Sequence, residues 1–261
     1  MTSDALLLIG RAGGNARTVI ETHADRLERR GVADEVHTVT YEHEPVRELR
    51  RQLKSIDADR VYALATWIAH TADTVRDVPA ALAAVPGAVH SCEPLGRNPA
   101  VTDVLLDRAS SSMPASEDVT LVLIGLGSGS VPHQRRTAEY HAARIEERSA
   151  YGEARTCYLY QNPTVECARY AASSDRMVAV PLFLARSDVT EERIPAKLEL
   201  NRGGVAYADP LGDHPRVTAA IQGEVQRQRV LVRGDGASSL DAGTTTRHPI
   251  VSDGEGESVR R

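Results

Sequence analysis

Two stretches carry residue types suited to chemistry, and they are versions of one another. ATWIAHTADTVRDVP (65–79) sets His70 and Asp73 in a polar turn after an apolar run. PLFLARSDVTEERIP (181–195) stands 116 residues later, with Arg186 and Val189 at the corresponding places. Imidazole takes and gives protons near neutral pH and binds divalent metals. A guanidinium stays charged and forks onto carboxylates. YEHEP (41–45) places His43 between Glu42 and Glu44, and GRAGG (10–14) carries Arg11. GLGSGS (125–130), with Ser128 at its centre, offers backbone N–H groups that suit a carboxylate. It is not a dinucleotide loop. Ser130 breaks the G-x-G-x-x-G spacing, and no acid closes the next strand, CYLYQN.

These loops must be positioned by the elements around them, and those elements occur twice. HADRLERRG (23–31) matches HAARIEERS (141–149), an offset of 118. ADRVYALATWI (58–68) parallels SDRMVAVPLFL (174–184), and EPLGRNPAVT (93–102) parallels DPLGDHPRVT (209–218), both at an offset of 116. Landmarks in one order at nearly constant spacing mean two homologous halves. Their expected bounds are 1–112 and 117–232, with SSSMPASED as a linker. The last stretch, 233–261, lacks apolar periodicity and is expected to be a disordered tail.

Within each half, short apolar runs alternate with helical patterns. ALLLIG, EVHTVTY, RVYALATWI and GAVHS read as strands, and VTLVLIG, ARTCYLY, RMVAVPLFL and GVAYA repeat them. Strand–helix alternation predicts an α/β fold of two tandem, doubly wound parallel-sheet domains. Ligands of such sheets bind beyond the C-terminal strand ends, where the polar loops fall. His23 and His141 share one helix position among apolar neighbours and are expected to be satisfied core residues. Trp67, opposite Phe183, either lines the cleft or closes the core, with the core the favoured place, and His133, near the GSGS loop, could face the cleft but is left out of the candidate set.

Composition narrows the class. The chain has 261 residues, 41% of them hydrophobic, with a net charge of −5. That balance gives no reason to expect a nucleic-acid partner. The longest apolar runs are too short to span a membrane. MTSDALLLIG has no basic leader, so no signal peptide is expected. Cys92, Cys157 and Cys167 are odd in number and lack C-x-x-C spacing, which fits buried thiols in a reducing cytoplasm. The basic residues are nearly all Arg, with Lys54 and Lys197 the exceptions.

The order of motifs is apolar strand–Gly-x-Gly/Ala loop, strand–Glu-Pro, strand ending in Phe-Leu before a loop and Asp-Ile-Pro, then Pro-Leu-Gly-x-x-Pro. Across both halves, this order resembles the class II chelatases, the sirohydrochlorin cobalt- or ferrochelatase (CbiX/SirB) family in its long two-domain form. The resemblance implies two chelatase-like domains facing a central cleft. It also implies a lyase that inserts divalent cobalt or iron into a sirohydrochlorin-type tetrapyrrole, toward cobalamin or sirohaem. The metal would be a substrate, with no permanently bound cofactor. The fused halves would let the chain act as a monomer. The alternative is an inactive relative that carries or senses a tetrapyrrole or metal.

The chain departs from that family at its histidines. Arg11 and Leu126 stand where the first is expected, and Asp73 and Val189 where the second is expected. The resemblance therefore leaves His70, Asp73 and His43 as candidate proton-transfer groups. His70, Asp73 and Glu42 are left as candidate metal ligands. Arg11, Arg186 and Ser128 are the candidate grips for substrate carboxylates. Asp77 is read as a helix cap.

Overall fold

A computed structural model describes residues 2–129 and 131–241, with no account of the side chains of 234–241. The first sheet has the order β2-β1-β3-β4, from β1 (Asp4–Arg11), β2 (Glu35–Tyr41), β3 (Arg60–Ala65) and β4 (Ala88–Cys92). The second has the order β6-β5-β7-β8, from β5 (Val119–Gly125), β6 (Glu153–Tyr158), β7 (Arg176–Pro181) and β8 (Val205–Tyr207). Every pairing is parallel. The crossovers carry α1 (Ala16–Arg29), α2 (Pro45–Leu53) and α3 (Val78–Leu82), then α5 (His133–Arg148), α6 (Ala168–Ala171) and α7 (Ile194–Lys197). Each half ends in a longer helix, α4 (Pro99–Ser112) or α8 (Pro215–Asp241).

The central strands are apolar on both faces, as strands covered on both sides must be. Leu6 and Leu8 of β1 face inward, while Ala5, Leu7 and Ile9 face α2 and α3. On β5, Leu121 and Leu123 face inward, and Val122 and Ile124 face outward. The inward faces of both sheets, with α1, α4, α5 and α8, form one continuous core.

That core exists because the closing helices are exchanged. α4 packs on α5 and β7 of the second sheet, while α8 packs on α1, β3 and β4 of the first. Val101, Val104 and Leu105 of α4, and Val217, Ile221 and Val225 of α8, are all fully buried. Burying each such side chain is worth about 1.5–3 kcal/mol, against about 1 kcal/mol for a polar contact. The exchange, more than any bond at the rim, fixes the two lobes against each other. Each expected half therefore carries its own sheet and lends its last helix to the other.

Two expectations need correcting here. The chain does not lose structure at 233, because α8 continues to Asp241. Extending a formed helix needs only one residue fixed per hydrogen bond, and no proline falls between Pro215 and Asp241. The remainder of the expected tail lies outside the described residues. The cysteines are all free thiols, but Cys167 is exposed, and only Cys92 and Cys157 are buried. No helix among the described residues is long and apolar enough to cross a membrane.

His23 and His141 occupy equivalent places in the exchange, as core residues. The Nε2–H of His23 donates to the Gly212 carbonyl (3.1 Å), and the Thr218 hydroxyl donates to Nδ1 (2.8 Å). His141 repeats this with the Gly96 carbonyl and the Thr102 hydroxyl. A carbonyl cannot donate, so both rings hold their proton on Nε2. Each ties the first helix of one half to the closing segment of the other.

Candidate functional site

The C-terminal strand ends of the two lobes face a common cleft of about 690 Å³. The first lobe contributes Arg11, Glu42, His43 and Trp67 to its wall, and the second contributes Tyr160, Phe183, Arg186 and Arg193. Ile20, Leu126, Leu182 and Leu184 supply apolar surface between these groups. Gln134 also lines the cleft, and its Oε1 is a buried acceptor without a partner among the described residues.

The loop bearing Glu42 and His43 is shaped by a residue that sequence reading passed over. The Glu48 carboxylate, in the first turn of α2, accepts the backbone N–H of Glu42 (2.9 Å), His43 (3.0 Å) and Glu44 (2.7 Å). These bonds favour the charged form and lower its pKa to about 2. The signal was present, since a Glu in the first turn after a helix start commonly reaches back to the preceding N–H groups. His43 Nδ1 lies 3.8 Å from Glu42 Oε2, and both side chains are largely exposed.

β3 ends at Ala65, where its last pairing with Ile9 is made. Trp67 therefore lies on the loop beyond the strand. It is half-buried on the cleft wall and stacks on Tyr41, with ring centroids 5.8 Å apart. The Tyr41 hydroxyl donates to Asp73 Oδ2 at 2.8 Å. Burial and this carboxylate push the Tyr41 pKa well up, so it remains a donor. Asp73 begins a π-helical turn (Asp73–Asp77) that leads into α3, and Val189–Arg193 repeats the turn before α7. Asp77 makes no side-chain cap; it pairs with Arg76 at 3.2 Å.

The expected metal set is not brought together. His70 turns to the rim, with Nε2 3.1 Å from Glu93 Oε2 and Nδ1 3.2 Å from Thr74 Oγ1. Its ring lies 5.4 Å from that of His133, a residue left out of the candidate set. Asp73 is held by Tyr41, and Glu42 stays on the cleft wall with His43. Among the described residues, no group of three or more His, Cys, Asp or Glu is placed to hold a metal ion. The three candidates are separated because each has a different neighbour.

The candidate carboxylate grips also divide. Arg11 is exposed on the cleft wall. Arg186 lines the cleft too, but its Nη2 donates to Asp209 at 2.6 Å. Its backbone N–H donates to Asn15 Oδ1 (2.8 Å), and its carbonyl accepts from the Asn15 N–H (3.1 Å). Gly14 precedes this clamp at φ +52°, and a Cβ there would stand 2.0 Å from the Arg186 carbonyl oxygen. Ser128 is tied into its own loop, its N–H donating to Gln161 and its Oγ accepting from Val131. Gly125 and Leu126 reach the cleft from that loop, and Ser128 does not.

Two parallel sheets facing a cleft through polar loops define a duplicated α/β protein of chelatase-like architecture. The CbiX family profile matches residues 5–112 and again 120–228, and the chain belongs to that family. The probable sirohydrochlorin cobaltochelatase of Halobacterium salinarum is 26% identical over 201 residues, covering 67% of this chain and 68% of that protein. Two structures of SirB from Bacillus subtilis share the fold. The one with Fe3+ superposes with a TM-score of 0.71 at 17% identity, covering 89% of this chain and 98% of SirB. The one in complex with cobalt, from subspecies spizizenii, gives 0.68 at 18% identity, covering 87% of this chain and 95% of that one.

Proposed function

We propose that this chain inserts a divalent metal, cobalt or iron, into a sirohydrochlorin-type macrocycle held in the cleft between its lobes. The observation that carries this reading is the character of that cleft. A space of about 690 Å³ lies within the roughly 300–1,000 Å³ of small-molecule sites. Trp67 and Phe183 give flat apolar surface for a macrocycle face, and arginines stand on both walls for its peripheral carboxylates. Membership of the family, and the named activity of the Halobacterium relative, support the same reaction.

Metal insertion requires two ring N–H protons to leave and a metal to be held loosely before transfer. Glu42 and His43 are the titratable pair on the first-lobe wall, and they serve as the metal and proton groups facing the ring. The unpartnered Gln134 Oε1 suits a ring N–H, the donor that an ionised polycarboxylate macrocycle retains. His70, with Glu93 and His133 beside it, meets the metal at the rim before the cleft. Asp73 acts through Tyr41, whose ring supports Trp67.

The test mixes purified protein with sirohydrochlorin and Co2+ or Fe2+ and follows the absorption change. A rate above the protein-free background is expected. A rate equal to that background removes the enzyme. A spectral shift with macrocycle alone, and no insertion, would instead identify a binding protein.

A further inference from the structure

We propose that Arg193, laid against the ring of Tyr160, is the carboxylate anchor of the second lobe, and that Arg186 is not. This rests on the reading that the cleft takes a polycarboxylate macrocycle. Both residues line the cleft. The guanidinium carbon of Arg193 lies 5.3 Å from the Tyr160 ring centroid, and Tyr160 is 55% exposed despite its size. A cation–ring contact of this kind uses none of the N–H donors, so they stay available to a carboxylate, which engages two of them in parallel. No hydrogen bond or ion pair engages the Arg193 guanidinium among the described residues.

Arg186 is differently placed. Its guanidinium is bonded to Asp209 and its backbone to Asn15, so taking a substrate carboxylate would leave Asp209 uncompensated. The comparison between lobes points the same way. Arg193 occupies the place of Asp77 in the first half, where the carboxylate is already paired with Arg76. One repeat carries a neutralised acid there, and the other carries a cation over a tyrosine ring, unpaired among the described residues and lining the cleft. With Arg11 exposed on the opposite wall, the cleft presents one guanidinium from each lobe that is unpaired among the described residues. A flat ligand with carboxylates on opposite edges fits that pair, and a ligand charged along one edge does not.

The anchor is tested by absorbance titration with two metal-free porphyrins, one bearing carboxylates on every pyrrole ring and one bearing them along a single edge. Arg193→Gln is expected to raise the Kd of the fully carboxylated porphyrin roughly tenfold, the worth of a charge-assisted bond. It should change the Kd of the single-edge porphyrin by less than about threefold, because that ligand can use Arg11 alone. Arg186→Gln should stay within about threefold for both porphyrins. Tyr160→Ala should mimic Arg193→Gln in direction, and Tyr160→Phe should keep wild-type affinity. Thermal melting of each variant reports on folding, and a folding defect would weaken both porphyrins together. Equal losses on both porphyrins at unchanged melting temperature would overturn the anchor, as would a larger loss from Arg186→Gln. If wild type binds neither porphyrin, the anchor falls with the reading beneath it. If wild type binds with the expected selectivity but inserts no metal, only the proposed reaction fails. If it inserts metal and Arg193→Gln binds as wild type, only the anchor fails.

Discussion

His70 and Arg186 occupy the same position in the two lobes, and each faces the same pair of neighbours. Each pairs with the acid just after its lobe's edge strand, His70 with Glu93 and Arg186 with Asp209. Each also meets the residue that opens the first helix of the other lobe. For Arg186 that residue is Asn15, bonded to its backbone, and for His70 it is His133, met ring to ring. Duplication kept the geometry while the chemistry diverged. One rim is a clamp of backbone bonds and a fixed charge, and the other is a contact between imidazoles.

The clamped rim predicts a graded response. Gly14→Ala places a Cβ against the Arg186 carbonyl at positive φ, and it should cost more than about 2 kcal/mol. Asn15→Ala removes the acceptor for the Arg186 N–H and should cost only about 1 kcal/mol. The exchanged helices hold the lobes in both cases. Urea unfolding midpoints check the order. Asn15→Ala proving the more damaging would mean that the backbone approach at Gly14 is not tight.

The buried histidines predict acid sensitivity. Burial lowers His23 and His141 from 6.5 to about 4. Around His23, the Gly212 carbonyl and Asp213 oppose the shift and Arg26 adds to it. Around His141, the Gly96 carbonyl opposes it and Arg144 adds to it. The unfolded chain therefore binds more protons than the folded one between about pH 4 and 6.5. Stability is complete above 6.5 and is lost as pH falls toward 4, on the order of 3 kcal/mol for each ring. Unfolding midpoints measured down this range should fall steeply, and a His23→Gln/His141→Gln variant should show a shallower slope. Equal slopes in the two proteins would sink the assignment.

The site placement predicts which histidine matters more for metal insertion. His43 lines the cleft and His70 stands at the rim. His43→Ala should lower the insertion rate by about a hundredfold or more if it moves protons. His70→Ala should mainly raise the metal concentration needed for half-maximal rate. The reverse pattern would return the central role to His70.

The sheets were legible because their cause is local. Leu6 and Leu8 alternate with Leu7 and Ile9, the repeat fixes the order of elements, and strand ends place the polar loops at one edge. The helix exchange had no local signature. The apolar face of NPAVTDVLLDRA is the same whichever sheet it covers. Glu42, His43 and Arg11 were found in the cleft because their position depends on the strand they follow. The partners of His70 and Arg186 had no local signal, because Glu93 and Asp209 follow the neighbouring parallel strand, more than twenty residues along the chain. Trp67 reads as core or cleft from the sequence because its run of apolar neighbours outlasts β3, which ends at Ala65. Arg193 and Tyr160 carried no motif, and only the approach of their two loops makes them a pair.

Trp67 gives a binding assay that needs no turnover. It is the only tryptophan in the chain, and it lies on the cleft wall against Tyr41. A macrocycle seated in the cleft would lie close to the indole and absorb where it emits. Adding sirohydrochlorin should quench the intrinsic fluorescence saturably, with the same Kd as an absorbance titration of the same macrocycle. Tyr41→Phe keeps the stacked ring and loses only the hydroxyl bonded to Asp73, so quenching should persist. Arg193→Gln should shift the quenching curve to higher concentration without changing its depth, because the ring still reaches Trp67 once bound. Binding seen by absorbance without any loss of Trp67 emission would place the macrocycle elsewhere on the protein, and the cleft would lose its assigned ligand.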